Sequence, residues 1–445
     1  MNAKEIIDPL YKQKAITTPT EFSYRVITTS SEFDRLDDTW NELVGDLNVT
    51  VFQTYDWNRT WWRHFGVNGR LLIFVLYHNQ KAVGIAPMFT DPVIIMGKKR
   101  FSYLRIIGST VSGTENGPLL GFIAYSDYLQ FIVNRDFENL FFDHFLKFIG
   151  TCDSADYMIL DEVPVESATW KYLIPLLESS KYRYRWKVAS TIPSIIPEKS
   201  WEEYVMSLHP KQRNNVRRYL KRVDNQEKGS LQLISYDKYE EIDEILNQLI
   251  ELHQKQWNIR GMPGTFTDTP MHDFLFEIAG IFVRKGMLSL QSVVPTNGQQ
   301  PGTVAAIDFS VKYKERVYLM HRALNMDPAM IKLGSGTVLL LANIRDAIQN
   351  QRSFDFLRGD ESFKLRFANQ VTANRSIFVS LSGNTGSLFE IIVSGYLDVQ
   401  KRFAVEKLKY VLIRDLHDGN RLMNYLRFMF RRLFRKSLKK NSDVQ

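Results

Sequence analysis

Cysteine is almost absent from this chain: Cys152 is the single cysteine in 445 residues. One cysteine forms no internal disulfide and no thiolate cluster for zinc, and the eight histidines include no HxxxH or HExxH pair. The sequence therefore predicts a reducing, cytoplasmic environment and a protein without a bound metal.

Long apolar runs and several catalytic motifs are missing as well. No stretch approaches the roughly 18 apolar residues that span a bilayer, and the opening MNAKEIIDPLYKQKA lacks the basic-then-apolar form of a signal peptide. The motifs GxSxG and GxxxxGK[ST] do not occur. We therefore expect a soluble protein that uses neither of these two motifs.

Positive charge is concentrated in one segment. Residues 401–440 contain thirteen Lys or Arg against three Asp or Glu, which is a local charge of +10, so the rest of the chain carries −2 of the net +8. The overall basicity thus describes a tail, and no nucleic-acid partner is expected for the body.

Length and patterning predict two folded halves, because 445 residues exceed one ordinary core. Helical and strand patterns alternate from Phe22, and they start afresh around Pro193 and Pro197. A strand hairpin at Gly84 is weakly echoed at Gly302. The expected divisions are a flexible start (1–21), a first half (22–192), a second half (193–385) and a basic amphipathic helical extension (386–445).

A glycine motif, IKLGSGTVLLLANIRDAI, lies between the strand patterns ERVYLMHRAL and SFDFL. Gly334 and Gly336 precede an apolar helix that Ser335 and Thr337 are able to cap. Free N–H groups at a helix start, together with close backbone approach, make a cradle for a pyrophosphate. The alternative is a capped helix without a ligand.

A charged cluster follows the strand SFDFL, with Arg358, Asp360, Glu361 and Lys364 at the end of the strand, where ligands bind in open α/β sheets. Asp355 inside this apolar strand needs either solvent or a partner. The alternative to a site is a charged loop with internal ion pairs.

Two further groups are candidates. In PKQRNNVRRYLKRV, basic residues that include Arg213 and Arg217 cover one side of a helix, either to hold an anionic substrate or simply to face solvent. His253 and Trp257 fall on an apolar helical stripe and are expected in the core. His321, beside the glycine motif, is the better functional candidate.

Several segments together resemble a known family, in the right order, over about Phe22 to Phe378. They are FQTYDWNRTWWRHFG, AVGIAPMF, LHPKQRNNVRRYLKRV, LIELHQKQW, PGTVAAIDF, LNMDPAMIKLGSGTVLL and FDFLRGDESFK. They resemble the GNAT-type acetyltransferases of the CelD (cellulose biosynthesis) or BioF-like group, which are similar to the FemAB ligases. The resemblance implies an α/β (α+β) fold of two tandem GNAT-like units, each a mixed central sheet flanked by helices.

The resemblance also implies a site. ERVYLMHRAL and SFDFL would be parallel strands that diverge to admit the pantetheine of acetyl-CoA. Expected cofactor-binding residues are Met320, Lys332, Gly334, Ser335, Gly336 and Thr337. Glu361 is the first choice of base, followed by Asp360, with His321 as a further proton carrier. Arg358, Lys364, Arg213 and Arg217 would bind substrate.

The sequence departs from the family pattern at three positions. Phe363 stands where many members have a tyrosine, Ile331 stands where a GNAT cradle usually begins with Arg or Gln, and Ser335 stands where proline is frequent. Phe363 cannot protonate a leaving thiolate, so water, His321 or the substrate would take that role.

The expected function is acyl transfer, acetyl in the first instance, from CoA to an amine of a sugar or polysaccharide precursor. One alternative is a FemAB-like transferase that uses aminoacyl-tRNA. Another is a non-catalytic GNAT scaffold in exopolysaccharide assembly.

The basic tail generates a test. In NRLMNYLRFMFRRLFRKSLKK (420–440), Leu422, Leu426 and Phe430 share one helical face and arginines gather mainly on the other, as in an interfacial helix at the inner membrane face. The alternative is that this apolar face packs on the body. We predict sedimentation with anionic liposomes that weakens with salt and is lost on truncation after His417. Sedimentation of the truncated protein, or none of the full chain at low salt, would contradict membrane binding.

Overall fold

The computed structural model describes residues 22–95, 98–109, 111, 126–224, 230–259, 264–266, 269–296, 303–382 and 389–394. The predicted flexible start and the interfacial helix at 420–440 lie outside these residues. Among the described residues, no helix combines the length and the apolar character needed to cross a membrane.

Helices and strands alternate in both halves of the chain. The first half contains β1 (Phe22–Ile27), α1 (Ser30–Asp34), α2 (Asp37–Gly45), α3 (Tyr55–Phe65), β2 (Arg70–His78), β3 (Lys81–Ile95), β4 (Lys98–Ile106), β5 (Ile132–Val133), α4 (Glu138–Gly150), β6 (Tyr157–Pro164), α5 (Ala168–Ser179) and β7 (Arg183–Ile195). The second half contains α6 (Trp201–Ser207), α7 (Pro210–Asp224), β8 (Leu231–Tyr236), α8 (Tyr239–Asn258), α9 (Thr269–Arg284), β9 (Leu288–Pro295), β10 (Ala306–Tyr313), β11 (Arg316–Leu324), α10 (Pro328–Leu333), α11 (Ser335–Gln349), β12 (Ser353–Asp355), α12 (Ser362–Phe367) and β13 (Gln370–Ser380).

All thirteen strands belong to one mixed sheet, in the order β1-β2-β3-β4-β6-β13-β7-β12-β11-β10-β9-β8, with β5 paired to β3. Read from either edge, the order shows the same plan: four antiparallel strands, then a parallel neighbour. The parallel pairs are β4 with β6 and β11 with β12. The predicted α/β fold of two similar units, each with a mixed sheet flanked by helices, is confirmed.

The two units exchange their last strands. β13, from the second half, lies between β6 and β7, and β7, from the first half, lies between β13 and β12. These two long strands pair antiparallel from Gln370 opposite Ser194 to Ser380 opposite Arg183. The predicted boundary between residues 192 and 193 falls inside β7, so the sheet is continuous across it.

The main hydrophobic core is shared by both halves. On one side of the sheet, Trp57 of α3 contacts Phe274 and Phe282 of α9, with ring centroids 5.1 and 6.4 Å apart. Phe52 meets Tyr318 of β11 at 6.0 Å. Because large aromatic surfaces are buried between them, the two halves stabilise each other.

Two local features concern the hairpin turn of the first half and the start of the predicted extension. Asn79 and Gln80 form the hairpin turn between β2 and β3 with φ of 48° and 65°, the left-handed conformation that two-residue hairpin turns require. The extension predicted from residue 386 begins with a helical stretch at 389–394, which packs Phe389 on Tyr157 of the sheet at 6.3 Å.

Corresponding hairpins of the two halves each contain an arginine–aspartate ion pair. In both pairs the arginine follows the aspartate by 14 residues. Arg105 Nε lies 3.0 Å from Asp91 in the β3–β4 hairpin, and Arg322 Nε lies 2.8 Å from Asp308 in the β10–β11 hairpin. Arg105 is completely buried and also contacts Asp161 at 3.4 Å. One guanidinium therefore contacts two interior carboxylates.

This arrangement predicts a large loss of stability when Arg105 is removed. Arg105→Met leaves Asp91 and Asp161 buried without a cation, which costs about 3–5 kcal/mol of unfolding free energy. Arg183→Met, which breaks an exposed pair with Glu390, should cost about 0–1 kcal/mol. Denaturant unfolding at pH 7 compares the two variants. Equal losses in both would contradict the structural role of the buried pair.

Candidate functional site

Two parallel strands at the centre of the second half separate after a short pairing. β11 and β12 pair from Arg316 opposite Ser353 to Tyr318 opposite Asp355. β12 then ends, whereas β11 continues to Leu324. In the described part of the chain, no strand pairs with β11 on this side beyond Tyr318. The Leu324 amide at the far end of this edge donates to Gln256 Oε1 at 3.3 Å, so the stretch between Tyr318 and Leu324 is the part without a partner strand.

Backbone irregularities on both strands produce the separation. On β11 the register with β10 shifts between His321 and Leu319, which leaves Met320 as an extra, bulged residue. On the other side, Leu357 has φ of 57° and Gly359 has φ of 128°. The chain after β12 then bonds to β7, since the Gly359 N–H donates to the Thr191 carbonyl at 2.9 Å.

The glycine motif lies where a helix starts beside this open edge. Gly334 is left-handed, with φ of 62°, and separates α10 from α11. The amides of Thr337 and Val338 both donate to the Gly334 carbonyl. Arg322, bound to Asp308, also donates to the Gly336 carbonyl, so a buried ion pair fixes this helix start to the sheet.

The predicted side-chain caps are wrong. No side chain caps α11, whose N-cap is Gly334. Ser335 is buried, and its hydroxyl donates to the Ala305 carbonyl at 3.2 Å. Thr337 is partly exposed and Lys332 is exposed. Among the described residues, no side chain occupies the N–H groups of this helix start. The Gly334 and Thr337 amides donate to backbone carbonyls, so the amides of Ser335 and Gly336 are the ones that could bind a phosphate.

The basic helix α7 contacts this helix start through a different residue from those predicted. Tyr219 lies so close to Gly334 that a Cβ there would be 2.5 Å from its ring, and Arg222 Nη1 would be 3.3 Å away. Arg222 Nη1 is buried without a hydrogen-bond partner among the described residues. Arg213 instead donates to the Leu208 carbonyl at 2.8 Å, and Arg217 is exposed.

His321 is placed among aromatic rings on β11. Its ring lies 4.9 Å from that of Phe266 and 6.1 Å from that of Phe309. Desolvation, helped by nearby His253, lowers the pKa of His321 to about 3. The imidazole is therefore neutral at pH 7 and a weak base. His253 is buried and accepts a hydrogen bond from Trp257 at 2.9 Å, in agreement with the predicted core position.

The charged cluster after β12 is internally bonded. Lys364 is buried, and its Nζ lies 3.2 Å from Glu361 Oε2 and 2.5 Å from the Arg358 carbonyl. Glu361 is at the N-cap position of α12 and is partly exposed. Asp360 is exposed. The structure thus brings Glu361 and Lys364 together as an ion pair in the loop.

Arg358 reaches from this loop into the first half of the chain. Its Nε lies 3.3 Å from Asp127, and its Nη1 lies 3.5 Å from Glu162. Glu162 also accepts hydrogen bonds from Ser190 and from Asn374. Burial raises the pKa of the Glu162 carboxyl, although Arg358 opposes the shift.

Asp355, an acid within an apolar strand, has hydrogen-bond partners for its carboxylate. It accepts hydrogen bonds from the Tyr128 hydroxyl at 2.5 Å, the Leu357 amide at 2.8 Å and Arg316 at 3.3 Å. Burial raises the pKa of this carboxyl as well. Asp355 therefore ties the end of β12 to the first half.

The sequence analysis missed Asp127, Tyr128 and Glu162. A signal existed in YMILDEVP: Asp161 and Glu162 are adjacent acids within an apolar strand, and neighbours in a strand face opposite sides. Both would therefore need partners, by the argument used for Asp355. Nothing in the sequence near Tyr128 indicates its contact with Asp355.

The corresponding helix of the first half lacks a comparable start. α4 follows Asn134, Arg135, Asp136 and Phe137, where Asn134 caps the Asp136 amide at 3.0 Å. This start has no glycine, and Asp136 and Glu138 would repel a phosphate. The second half is therefore the better site for an anionic cofactor.

Comparison with known proteins supports this placement. Residues 210–365 match the family model of the acetyltransferase (GNAT) domain. This segment runs from α7 through the open strand edge to Leu365. No curated protein matches the sequence.

The crystal structure of FemX has a similar fold over both halves, and two further solved structures are similar at lower TM-scores. The crystal structure of FemX is 12% identical, covers 83% of this chain and 99% of its own, and superposes with a TM-score of 0.56. The C-terminal domain of a putative lysylphosphatidylglycerol synthetase from Agrobacterium fabrum is 10% identical, with coverage of 82% and 96% and a TM-score of 0.45. A tandem GNAT protein from the clavulanic acid biosynthesis pathway is 10% identical, with coverage of 80% and 98% and a TM-score of 0.39. The likeness is one of fold alone.

Among the described residues, no group of three or more His, Cys, Asp or Glu side chains is placed to hold a metal ion. Whether the protein acts without a metal stays a prediction.

The surroundings of His321 predict acid sensitivity. The pKa of His321 is about 3 when folded and 6.5 when unfolded, so the unfolded state binds more protons and stability falls as the pH drops below 6.5. His321→Phe removes this proton site and should reduce the loss of unfolding free energy between pH 7 and pH 5 by about 1–2 kcal/mol. Urea unfolding at both pH values measures it. An unchanged loss would show that His321 is not held neutral.

Proposed function

We propose that the protein is an acyl-CoA-dependent N-acyltransferase of the GNAT type, which transfers an acyl group, acetyl in the first instance, to an amine of a sugar or polysaccharide precursor. The observation that carries the proposal is the open edge of β11 beside the uncapped start of α11. An extended pantetheine arm has hydrogen-bonding groups that suit a strand edge, and a diphosphate suits a helix start.

The residues present fit acetyl-CoA. Arg222 Nη1, buried without a hydrogen-bond partner among the described residues, supplies a cation next to Gly334, and exposed Lys332 adds a second. Met320 bulges on the strand edge. Bound acetyl-CoA would supply an activated thioester. The amides of Ser335 and Gly336, between Gly334 and Thr337, would hold its phosphates, and the β11 edge would orient its arm.

Roles for the charged loop follow from its position at the end of β12. The sequence favours Glu361, followed by Asp360, as the group that accepts the proton of the attacking amine, with Arg358 and Lys364 orienting the acceptor. Arg213 and Arg217, on the far part of α7, would contact an anionic part of the substrate. The basic extension would hold the enzyme at the inner membrane face, where envelope precursors are assembled.

A second candidate is FemAB-like aminoacyl transfer from tRNA. The similarity of fold to FemX, which covers 83% of this chain, favours it. Binding of acetyl-CoA without tRNA supports the first candidate, and binding of tRNA without acetyl-CoA supports the second. A protein that binds neither would be the scaffold.

The cradle is tested by adding a side chain within it. Gly336→Val should abolish CoA binding in calorimetry, because the side chain enters the phosphate site. A Cβ at Gly336 also meets the flexible end of Leu324 at 2.5 Å, so the thermal midpoint must confirm folding. Gly45→Val is a matched control, since a Cβ at Gly45 meets nothing within 4 Å. Wild-type CoA affinity in a folded Gly336→Val protein would exclude the cradle.

A further inference from the structure

Three buried carboxylates and two arginines meet where the halves join. Asp127 and Glu162 come from the first half, and Asp355 comes from the second. All three are at least nine-tenths buried. Arg358 contacts the first two and Arg316 contacts the third. When all five of these described groups are ionised, the three carboxylates and two arginines carry a net charge of −1.

An uncompensated buried charge is costly unless a proton or a cation neutralises it. Asp127 Oδ1 is buried and receives no hydrogen bond among the described residues, although Arg358 Nε lies 3.3 Å away. Charge attraction holds this pair, but no aligned N–H satisfies the oxygen. The oxygen is therefore free to accept a hydrogen bond from a cationic group.

The cluster lies beside the proposed acyl site. Arg358 follows the end of β12 by three residues, and the next residue, Gly359, bonds to Thr191 on β7. The neighbouring Ser190 donates to Glu162. Arg358 is the most exposed member of its contact group, with 28% of its side chain accessible against 7% for Asp127 and 8% for Glu162. Arg358 is therefore the member of this group that is most accessible from solvent.

We propose that Glu162 and Asp127 bind the ammonium group of the acceptor, and that Glu162 accepts its proton before acyl transfer. The inference rests on the proposed function and completes it: the second half would hold the acyl donor and the first half would recognise the amine. An ammonium group would supply the missing positive charge and donate to Asp127 Oδ1.

The step balances with these groups. The ammonium gives one proton to the Glu162 carboxylate, and its nitrogen then forms a bond to the thioester carbonyl carbon. The carbon–sulfur bond breaks and its electron pair goes to sulfur. Nitrogen releases its second proton, which protonates the departing thiolate. Glu162 returns its proton to solvent. The products are an amide and a free thiol.

Glu162 suits proton acceptance better than Glu361 does. Glu361 is partly exposed and lies 3.2 Å from Lys364, which is held in the loop by the Arg358 carbonyl. Lys364 therefore pairs with Glu361, whereas a single cation, Arg358, is shared between Glu162 and Asp127. Burial raises the pKa of Glu162, which brings it nearer to that of an amine and improves a general base.

The test measures preference for a charged amine. Titrations of the CoA-bound and the free protein would use glucosamine and ethanolamine against glucose and ethylene glycol, and acetyl-CoA thiol release would give kcat and KM for each amine. In the wild type the amines should bind at least about 10-fold more tightly than their neutral counterparts, in line with charge-assisted hydrogen bonds. Glu162→Gln should remove this preference and lower kcat by about 10²–10⁴-fold.

Two further variants complete the comparison. Asp127→Asn should also remove the amine preference, and it decides the question if Glu162→Gln does not fold. Glu277→Gln is the control. It removes a carboxylate that also joins the two halves, through a 2.8 Å contact with His64, but that is distant in sequence from the cluster. This variant should keep both the amine preference and the rate.

The proposal is overturned if the folded Glu162→Gln and Asp127→Asn proteins keep the wild-type preference, if the wild type shows no preference, or if Glu361→Gln alone removes it. Calorimetry with CoA separates the two levels of the argument. If the wild-type protein does not bind CoA, acyl transfer from CoA is refuted. The amine titrations of the free protein still decide whether Glu162 binds an ammonium group.

Discussion

The pairing of β7 with β13 is the constraint on which the rest of the structure depends. Each strand is the last of its own half and lies next to a strand of the other, so neither unit completes its sheet alone. The exchange brings the end of β6 close to the end of β12. Ser190 on β7 and Asn374 on β13 then donate to Glu162, and Arg358 reaches it from beyond β12. A cluster of charged and polar residues from both halves follows from this arrangement of four strands.

The two halves share a plan but differ in chemistry. Both hairpins hold a buried arginine–aspartate pair, yet their arginines have different second contacts. Arg105 neutralises a second carboxylate, Asp161, in the interior, whereas Arg322 holds the start of α11 through the Gly336 carbonyl. The first pair stabilises the sheet, and the second connects the sheet to the helix start that suits phosphate. Of α4 and α11, which have corresponding positions in the two halves, α11 is the helix that follows a left-handed glycine.

Strained backbone gathers at the same junction. Tyr128, Glu162 and Leu357 have φ of 54°, 51° and 57°, values that cost energy for residues with side chains. Their partners lie in the other half: Tyr128 bonds to Asp355, Glu162 contacts Arg358, and Leu357 follows the strand that both approach. Such conformations persist where tertiary contacts over-determine them.

The sequence by itself determined the two-unit α/β plan, the strand–glycine–helix–strand order around Gly334, and the burial of His253, because hydrophobic periodicity and turn residues are local signals. It also indicated that Asp355 needed a partner, since an acid in an apolar strand cannot remain unsatisfied. The tertiary structure alone decided which partner. Tyr128 lies 227 residues from Asp355, and Glu162 lies 196 residues from Arg358, so only the exchange of β7 and β13 joins them. For the same reason Ser335 is a buried donor to the Ala305 carbonyl and not a helix cap: the acceptor precedes β10 and lies 30 residues away in sequence, so no local pattern indicates it.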